Sequence, residues 1–299
     1  MAEVKGFDKR PSLLPNAALE REEMLPKRCI VLAWALVLSA GCGGEYSLTV
    51  GDQVMPAVGQ AMVVARLRRN DFFVLDLPVK QATLRFRIAE GPQRCATTDK
   101  LGYAAAQLDV PAAPGRYVVT IEHQDIQGDE VTAEAPAYVW DAQKPVIAVD
   151  LDCLPRRRQR QDVASARLAI NRLGGAANII YLTRRSTGSH EQCHEDLKAD
   201  GYPDGPVLLW RRQRWHIVPG RYKIPRVVVE SRLVSQLKQL RRDFAGLSVG
   251  ICDSSLAAEA FIRADMTAAV IGGASVKADK VNRFASWKVL AEEGFQQRQ

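Results

Sequence analysis

The chain has 299 residues, of which 47% are hydrophobic and 25% are charged, and its formal net charge is +7. This balance excludes an intrinsically disordered chain, and the length allows two domains of ordinary size after a leader. The positive charge permits anionic partners such as phosphates and lipid headgroups. Nucleic acid is not expected, because the chain has no nucleic-acid-binding motif and no aromatic interleaving of the kind that stacks on bases.

Residues 1–44 are predicted to be a leader. Lys27 and Arg28 precede an apolar run over residues 29–40, which is shorter than the roughly 20 residues that span a bilayer. A basic flank, a short apolar run and a small-residue end are typical of a secretory signal. The residues before Met24 are charged and unpatterned, so we expect translation to begin at Met24.

The end of this leader reads L-S-A-G-C and finishes at Cys42. It resembles the lipobox of bacterial lipoproteins, although Ser39 stands where Leu is usual. The resemblance implies that Cys42 is lipidated. It also implies that the mature protein is anchored to a membrane of the bacterial cell envelope, on the extracytoplasmic side.

Residues 45–144 are predicted to form a β-sandwich. Short strand-like segments separated by Gly, Pro and Asn turns favour this architecture. The segments lie at 61–67, 82–88, 116–122, 131–135 and 137–140. The phrases L-D-V-P and P-G-R-Y within residues 108–117 are similar to bacterial immunoglobulin-like domains. No catalytic cluster occurs here, so we expect a spacer or a binding module, joined to the next domain by residues 141–145.

Residues 145–299 alternate between strand-like and helix-like patterns, which predicts an α/β domain with a parallel sheet and right-handed crossovers. The strands are predicted at 146–150, 178–183, 207–210, 226–229, 247–252 and 268–271. Helices are predicted at 162–173, stopped by Gly174 and Gly175, from Ser231 to Arg242, at 255–264 and at 280–293.

Acidic and hydroxyl side chains follow three of these strands. Asp150 and Asp152 end the first, Thr183 ends the second, and Asp253 follows the segment V-G-I-C. Ligands of open α/β sheets bind outside the carboxyl ends of the strands. Two carboxylates held there repel each other and need a cation or a shared proton. The sequence therefore predicts a site for phosphate and a divalent metal, against the alternative of an Asp-rich turn.

Four phrases occur in order within this domain: D-L-D at 150–152, Y-L-T-R at 181–184, G-Y-P-D-G-P at 201–206 and C-D-S at 252–254. Together they resemble the haloacid-dehalogenase-like (HAD) phosphohydrolases, most closely the lipin and phosphatidate-phosphatase type. The resemblance covers most of residues 146–273. It implies a Rossmannoid fold and a Mg²⁺-dependent phosphatase whose substrate is a phosphorylated small molecule or a phospholipid headgroup such as phosphatidate.

The resemblance also implies a role for each matching residue. Asp150 is the expected nucleophile, which forms an aspartyl-phosphate, and Asp152 is the expected general acid and base. Thr183 is expected to donate a hydrogen bond to the phosphoryl group. Mg²⁺ is expected on Asp150, Asp253 and the backbone carbonyl of Asp152.

Three positions differ from the family pattern: Leu154 replaces Thr or Val, Cys252 replaces Gly, and Ala257 replaces a second acid. The family lysine has no counterpart, and its place near Ser231 is filled by Arg232 or Leu233. Arg232 is the expected catalytic cation, with Lys223 as the other candidate. The alternative function is a non-catalytic cell-envelope binding protein that keeps the fold.

Three further patterns leave alternatives open. The segment H-E-Q-C-H from His190 to His194 matches a zinc-peptidase motif, and the alternative interpretation is a solvated polar helix. Cys153 and Cys252 flank the predicted site and are either a disulfide or two buried thiols. Trp210 lies beside a basic segment, which indicates either an interfacial patch or a hairpin with a buried face. The oligomeric state is not indicated.

Overall fold

The structure is a computed structural model that describes residues 45–71, 75–155, 160–184, 190–210, 229–276 and 278–294. Gly44–Gln299 form one compact unit. The predicted leader, with Met24 and Cys42, lies outside the described residues. Among the described helices there is none whose length and apolar character would let it cross a membrane.

The first nine strands form two packed sheets. One sheet has the order β1-β3-β4 with β7 also paired to β3, and the other has the order β2-β9-β8-β5-β6. The strands are β1 (Glu45–Val50), β2 (Gln53–Pro56), β3 (Gln60–Asp71), β4 (Leu75–Pro78), β5 (Thr83–Ile88), β6 (Arg94–Thr97), β7 (Tyr103–Asp109), β8 (Gly115–Gln124) and β9 (Glu130–Trp140). The predicted β-sandwich is therefore confirmed, and the two segments predicted at 131–135 and 137–140 are one strand.

Alternation along each strand explains why these sheets pack face to face. In β5, Leu84, Phe86 and Ile88 are buried, whereas the residues between them are at least partly exposed. They meet buried residues of the opposite sheet, such as Val63 and Leu67 of β3, in one apolar core. A period of two places every second side chain on the same face, so one face of each sheet becomes the core.

The other six strands that the structure describes form a third sheet, which is wholly parallel. They are β10 (Val146–Asp150), β11 (Asn178–Thr183), β12 (Val207–Leu209), β13 (Leu247–Cys252), β14 (Thr267–Ile271) and β15 (Val281–Phe284). The helices are α1 (Arg160–Ala176), α2 (His190–Asp200), α3 (Val229–Asp243), α4 (Ser255–Arg263) and α5 (Trp287–Glu293). The parallel sheet predicted from the sequence is confirmed, and β11 and β13 have the predicted limits.

Helices cover both faces of the parallel sheet. Along β10, Val146 and Ala148 pack in the core that contains α3 and α4. Val149 packs in the core that contains residues of α1, α2 and α5. Because neighbouring residues of β10 point to opposite faces, nearly every position of the strand is apolar, as expected for a parallel strand buried on both sides.

The sheet order is β12-β11-β10-β13-β14-β15. In order of occurrence within this domain the strands therefore run 3-2-1-4-5-6, as in doubly wound α/β folds. The chain direction across the sheet reverses between β10 and β13. A crevice opens at such a reversal, outside the carboxyl ends of the strands.

The end predicted for α1 from the sequence was wrong. The helix continues through Gly174 and Gly175 to Ala176 instead of stopping before them. Neither glycine has a positive φ, so neither acts as a left-handed helix cap. A Cβ on Gly174 would lie 3.0 Å from Cγ of Pro203, which shows that this position accommodates a close neighbour.

Two other limits also differ from the sequence prediction. Helix α3 begins at Val229, before the predicted cap at Ser231, and the rest of the strand predicted at 226–229 lies outside the described residues. The helix predicted at 280–293 is instead β15 followed by α5. β15 adds a parallel strand to the exposed edge of β14, and that pairing outweighs the helical pattern of the segment.

The β-sandwich and the parallel sheet contact each other through polar and aromatic side chains. Asp52, in the turn between β1 and β2, accepts a hydrogen bond from the backbone N–H of Val207 at 2.6 Å. The Trp140 ring packs against Phe244 with ring centroids 5.9 Å apart. The predicted boundary between residues 144 and 145 falls between β9 and β10, and independent folding of the two parts stays a prediction.

Candidate functional site

The predicted site residues lie at the carboxyl ends of three neighbouring strands, which we call the carboxyl edge (Asp150, Asp152, Thr183 and Asp253). Asp150 is the last residue of β10 and lies opposite Leu182 of β11, so Thr183 is one residue beyond that pair. On the other side, Val149 lies opposite Ile251 of β13. The parallel register therefore brings the strand ends together at the point where the sheet order reverses.

Asp150 is fully buried. Its Oδ1 accepts a hydrogen bond from the backbone N–H of Asp152 at 3.1 Å. Its Oδ2 is buried and has no hydrogen-bond partner among the described residues. Burial, reinforced by the charges of Asp152 and Asp253, raises the pKa of Asp150 to about 7, although the Asp152 N–H and Arg184 oppose the shift. The fold therefore holds a carboxylate where it is poorly solvated and repelled by its neighbours.

Asp152 is paired with the residue that follows Thr183. Its Oδ2 accepts a hydrogen bond from the backbone N–H of Arg184 at 3.2 Å and from the Arg184 Nε at 3.3 Å. The Arg184 guanidinium also lies over the Trp210 ring, 5.4 Å from its centroid. Asp152 lies in a single 3₁₀ turn, Leu151–Cys153, so the chain turns sharply after β10 and carries the second carboxylate towards β11.

Asp253 follows β13 and is more exposed than Asp150. Desolvation raises its pKa and the charge of Asp152 adds to the shift, whereas its own backbone N–H and Arg184 oppose it. The next residue, Ser254, is the N-cap of α4 and accepts a hydrogen bond from the Ala257 N–H at 3.3 Å. The cap fixes the chain direction directly after Asp253. Thr183, the other predicted member, is fully buried.

The carboxyl edge offers a buried oxygen that could bind a hard cation, but the described residues there do not form a complete set of metal ligands. The buried, unpartnered Oδ2 of Asp150 is an oxygen that a cation would satisfy. The described residues contain no group of three or more His, Cys, Asp and Glu side chains close enough to hold a metal ion. Mg²⁺ commonly binds one or two carboxylates and keeps several waters, so the acids of the carboxyl edge are of a chemical type that fits this ion.

The positions that differ from the family pattern have structural roles. Ala257 is fully buried and packs in the core between α4 and the sheet. Leu154 is buried in the core on the other face of the sheet. The side chain of Arg232 lies outside the described part of the chain, as does Lys223. The place predicted for the catalytic cation is therefore untested.

Cys153 and Cys252 are both buried and both free. Burial, together with the nearby negative charges, raises the pKa of the Cys153 thiol well above its usual range. Burial likewise raises the pKa of Cys252 to about 12. In this structure the two cysteines are therefore buried thiols, as in the second of the two alternatives.

The H-E-Q-C-H segment begins α2. The Nε2 of His194 lies 2.7 Å from Oδ2 of Asp52. Cys193 is fully buried in the core beneath the helix. The side chain of His190 lies outside the described set. In this structure His194 contacts the β-sandwich, which neither the zinc interpretation nor the solvated helix anticipated.

Sequence reasoning missed the contacts of Arg184 and left open whether Trp210 beside it is buried. Trp210 directly follows β12, and its backbone N–H donates to the carbonyl of Thr183 at 2.9 Å. It is only 3% exposed, which contradicts an interfacial patch at this residue. The available signal was the position of Arg184, next to a strand-end threonine at the predicted site.

No family model and no curated protein matches the chain. Among solved structures, the D0-D1 domain of Intimin is 22% identical and covers 32% of this chain, with a TM-score of 0.24, and the match spans half of that fragment. The adhesin InvE of Yersinia pseudotuberculosis is 19% identical over 37% of this chain and 34% of its own, with a TM-score of 0.27.

A carbohydrate acetylesterase from Xanthomonas citri is 10% identical over 82% of this chain and 73% of its own, with a TM-score of 0.34. None of these TM-scores is high enough to support a statement about function. The case for a function therefore depends on the geometry of the carboxyl edge.

Proposed function

We propose that the chain is a Mg²⁺-dependent phosphomonoester hydrolase of the HAD type, with phosphatidate or another phosphomonoester as substrate. The observation that supports this most is the position of Asp150. It is a buried carboxylate with a raised pKa and an unpartnered oxygen, at the sheet reversal where doubly wound folds bind ligands. An immunoglobulin-like fold for the β-sandwich belongs to the same proposal.

In this mechanism Asp150 attacks phosphorus, forming a bond from a carboxylate oxygen as the ester P–O bond breaks. Asp152 donates a proton to the leaving oxygen, and it then removes a proton from the water that hydrolyses the aspartyl-phosphate. Thr183, buried at the end of β11, holds a phosphoryl oxygen. The Asp152 N–H holds Oδ1 of Asp150 at 3.1 Å, which fixes the orientation of that carboxylate.

Mg²⁺ is the proposed cofactor, held by the carboxylates of Asp150 and Asp253 and the backbone carbonyl of Asp152. When bound, it supplies the positive charge that lets an anionic phosphate approach a carboxylate. Asp150 and Asp253 both have raised pKa values, which is the condition in which a cation would favour the ionised form.

The second candidate is a non-catalytic binding protein with the same fold. The observation that favours it is Ala257, which packs in the core where the family has a second acid. With either function, we propose that the protein is exported and anchored through Cys42 to a membrane of the cell envelope. The β-sandwich then holds the α/β domain away from that membrane.

Phosphate release from p-nitrophenyl phosphate and from dispersed phosphatidate tests the proposal, in Mg²⁺ or in EDTA. We expect turnover that requires Mg²⁺ and disappears in Asp150→Asn. The matched control is Asp243→Asn, because Asp243 ends α3 and bonds Gln239, away from the carboxyl edge. A folded wild-type protein with no turnover on either substrate would favour the binding protein.

A further inference from the structure

Arg184 is the only basic side chain that the described structure places against an acid of the carboxyl edge. Its Nε and its backbone N–H both contact Oδ2 of Asp152. Its positive charge also opposes the raised pKa values of Asp150 and Asp253, so it lies within electrostatic reach of both carboxylates. The positive charge of Arg184 therefore lies close to all three acids of the carboxyl edge, Asp150, Asp152 and Asp253.

The guanidinium of Arg184 is held in place while part of it remains unused. Its central carbon lies over the Trp210 ring, 5.4 Å from the ring centroid, and its Nε donates a hydrogen bond to Asp152. Its two terminal nitrogens make no hydrogen bond or ion pair with any side chain or backbone group that the structure describes. The Arg184 side chain is 45% exposed, so a ligand can reach it.

A held guanidinium whose terminal nitrogens have no partner among the described residues is suited to one class of ligand. Its planar fork of donors matches two oxygens of a phosphate or a carboxylate. A stacked, ion-paired arginine also loses less side-chain freedom when it binds, so less affinity is spent on ordering it. The neighbouring carboxylates repel anions in general, so an anion bound here must be recognised by specific donors.

We propose that Arg184 is the phosphate-binding cation of this site and that its terminal nitrogens hold the phosphoryl group of the substrate. The proposal rests on the proposed function for its choice of ligand. It gives Arg184 the role that a lysine has in the HAD pattern. From the sequence alone, Arg232 or Lys223 was expected to fill that role. Asp152 keeps its contact with Nε, so the same arginine aligns the general acid with the bound phosphoryl group.

Calorimetric titration of the full-length protein with inorganic phosphate, in buffer containing Mg²⁺, tests this without requiring turnover. We expect Arg184→Met to weaken phosphate binding by about 10- to 100-fold, the usual effect of losing a hydrogen bond to a charged group. Arg184→Lys should bind with intermediate affinity, because lysine keeps the charge and loses the planar fork.

The matched control is Arg241→Met. Arg241 binds the backbone carbonyls of Ala264 and Asp265 before β14, at the opposite end of the sheet. The Arg241→Met substitution removes the same charge as Arg184→Met and should leave phosphate binding unchanged. Equal affinity in Arg184→Met and the wild type would overturn the proposal, as would a folded wild type that does not bind phosphate.

The same preparations separate this proposal from the proposed function. Phosphate binding that depends on Arg184, without release of phosphate from either substrate, supports the role of Arg184 and contradicts the hydrolase. Phosphate release that requires Asp150 and proceeds with an unchanged KM in Arg184→Met supports the hydrolase and contradicts the role of Arg184.

Discussion

At the residue scale, Gly205 explains part of the G-Y-P-D-G-P phrase. A Cβ on Gly205 would lie 2.3 Å from the backbone carbonyl oxygen of Ile179, and a backbone atom of a central strand cannot easily move. The hydroxyl of Tyr181 in the same strand donates to the carbonyl of Pro203 at 2.9 Å. The phrase therefore places the chain tightly against β11 before β12 begins.

Gly205→Ala should lower the free energy of unfolding by about 1–3 kcal/mol, the usual cost of forcing extra volume into a packed region. Urea unfolding followed by circular dichroism measures the change. Gly175→Ala is the control, since a Cβ there meets no atom within 4 Å. In a helix that substitution should be neutral or slightly stabilising. Equal stability of the two variants would contradict the packing described for Gly205.

The acids of the carboxyl edge were predictable because they depend on local pattern. A run of apolar residues that ends in Asp150 predicts a buried strand and therefore the position of its end. The partner of Asp152 was not predictable, because Arg184 is 32 residues away and reaches it only when β10 and β11 pair in register. Sequence spacing places strand ends at one edge, whereas packing decides which side chains meet there.

At the element scale, the segment after β14 shows how pairing can override pattern. Residues 280–293 have a helical pattern, and β15 forms there because β14 offers an open edge. The helix that remains, α5, begins only after Ser286, whose Oγ accepts a hydrogen bond from the Val289 N–H at 3.5 Å. Such an edge is a property of the folded sheet, so the local sequence does not reveal it.

Ser286→Ala distinguishes the two arrangements by the sign of its effect. As an N-cap, Ser286 should contribute about 1 kcal/mol, so its loss should destabilise the protein. Inside a helix from residue 280, alanine would be better than serine by a few tenths of a kcal/mol and would stabilise it. Thermal and urea unfolding of Ser286→Ala and Ser286→Asp decide between these outcomes, and Asp should keep most of the capping effect.

At the scale of the whole molecule, the leader makes a prediction about location. Cys42→Ala should move the protein from the membrane fraction to the soluble fraction of a bacterial host, because the lipid would no longer be attached. Incorporation of labelled palmitate should be lost as well. Cys29→Ala, within the apolar run, should change neither result. Incorporation of label that persists in Cys42→Ala would contradict the lipid anchor.

The contact between the β-sandwich and the α/β domain could not be read from the sequence. Asp52 and His194 are separated by 142 residues, and each belongs to a different part of the fold. Once paired, Asp52 binds both the His194 ring and the Val207 N–H. Tyr138 of β9 adds a hydrogen bond from its hydroxyl to Asp204 at 2.9 Å, so polar contacts connect the sandwich to both α2 and the segment before β12.

This contact predicts that the stability of the protein depends on pH. The hydrogen bond to Asp52 raises the pKa of His194 above its usual value of about 6.5, the charge of Asp204 adds to the shift, and burial and Arg116 oppose it. The stabilisation is therefore complete below about pH 6.5 and is lost as the pH rises through the raised pKa.

His194→Gln keeps a donor that does not titrate, so the free energy of unfolding of the wild type should exceed that of His194→Gln most at pH 5.5–6.5, and the difference should shrink towards pH 9. Urea unfolding at a series of pH values measures it. In an Asp52→Asn background, where the side chain can still accept from the Val207 N–H, the His194→Gln effect should lose its pH dependence. If the difference in free energy of unfolding between the wild type and His194→Gln does not change with pH, the charged His194–Asp52 pair does not stabilise the contact. The neutral hydrogen bonds and the Trp140–Phe244 packing would then account for the stability of the contact.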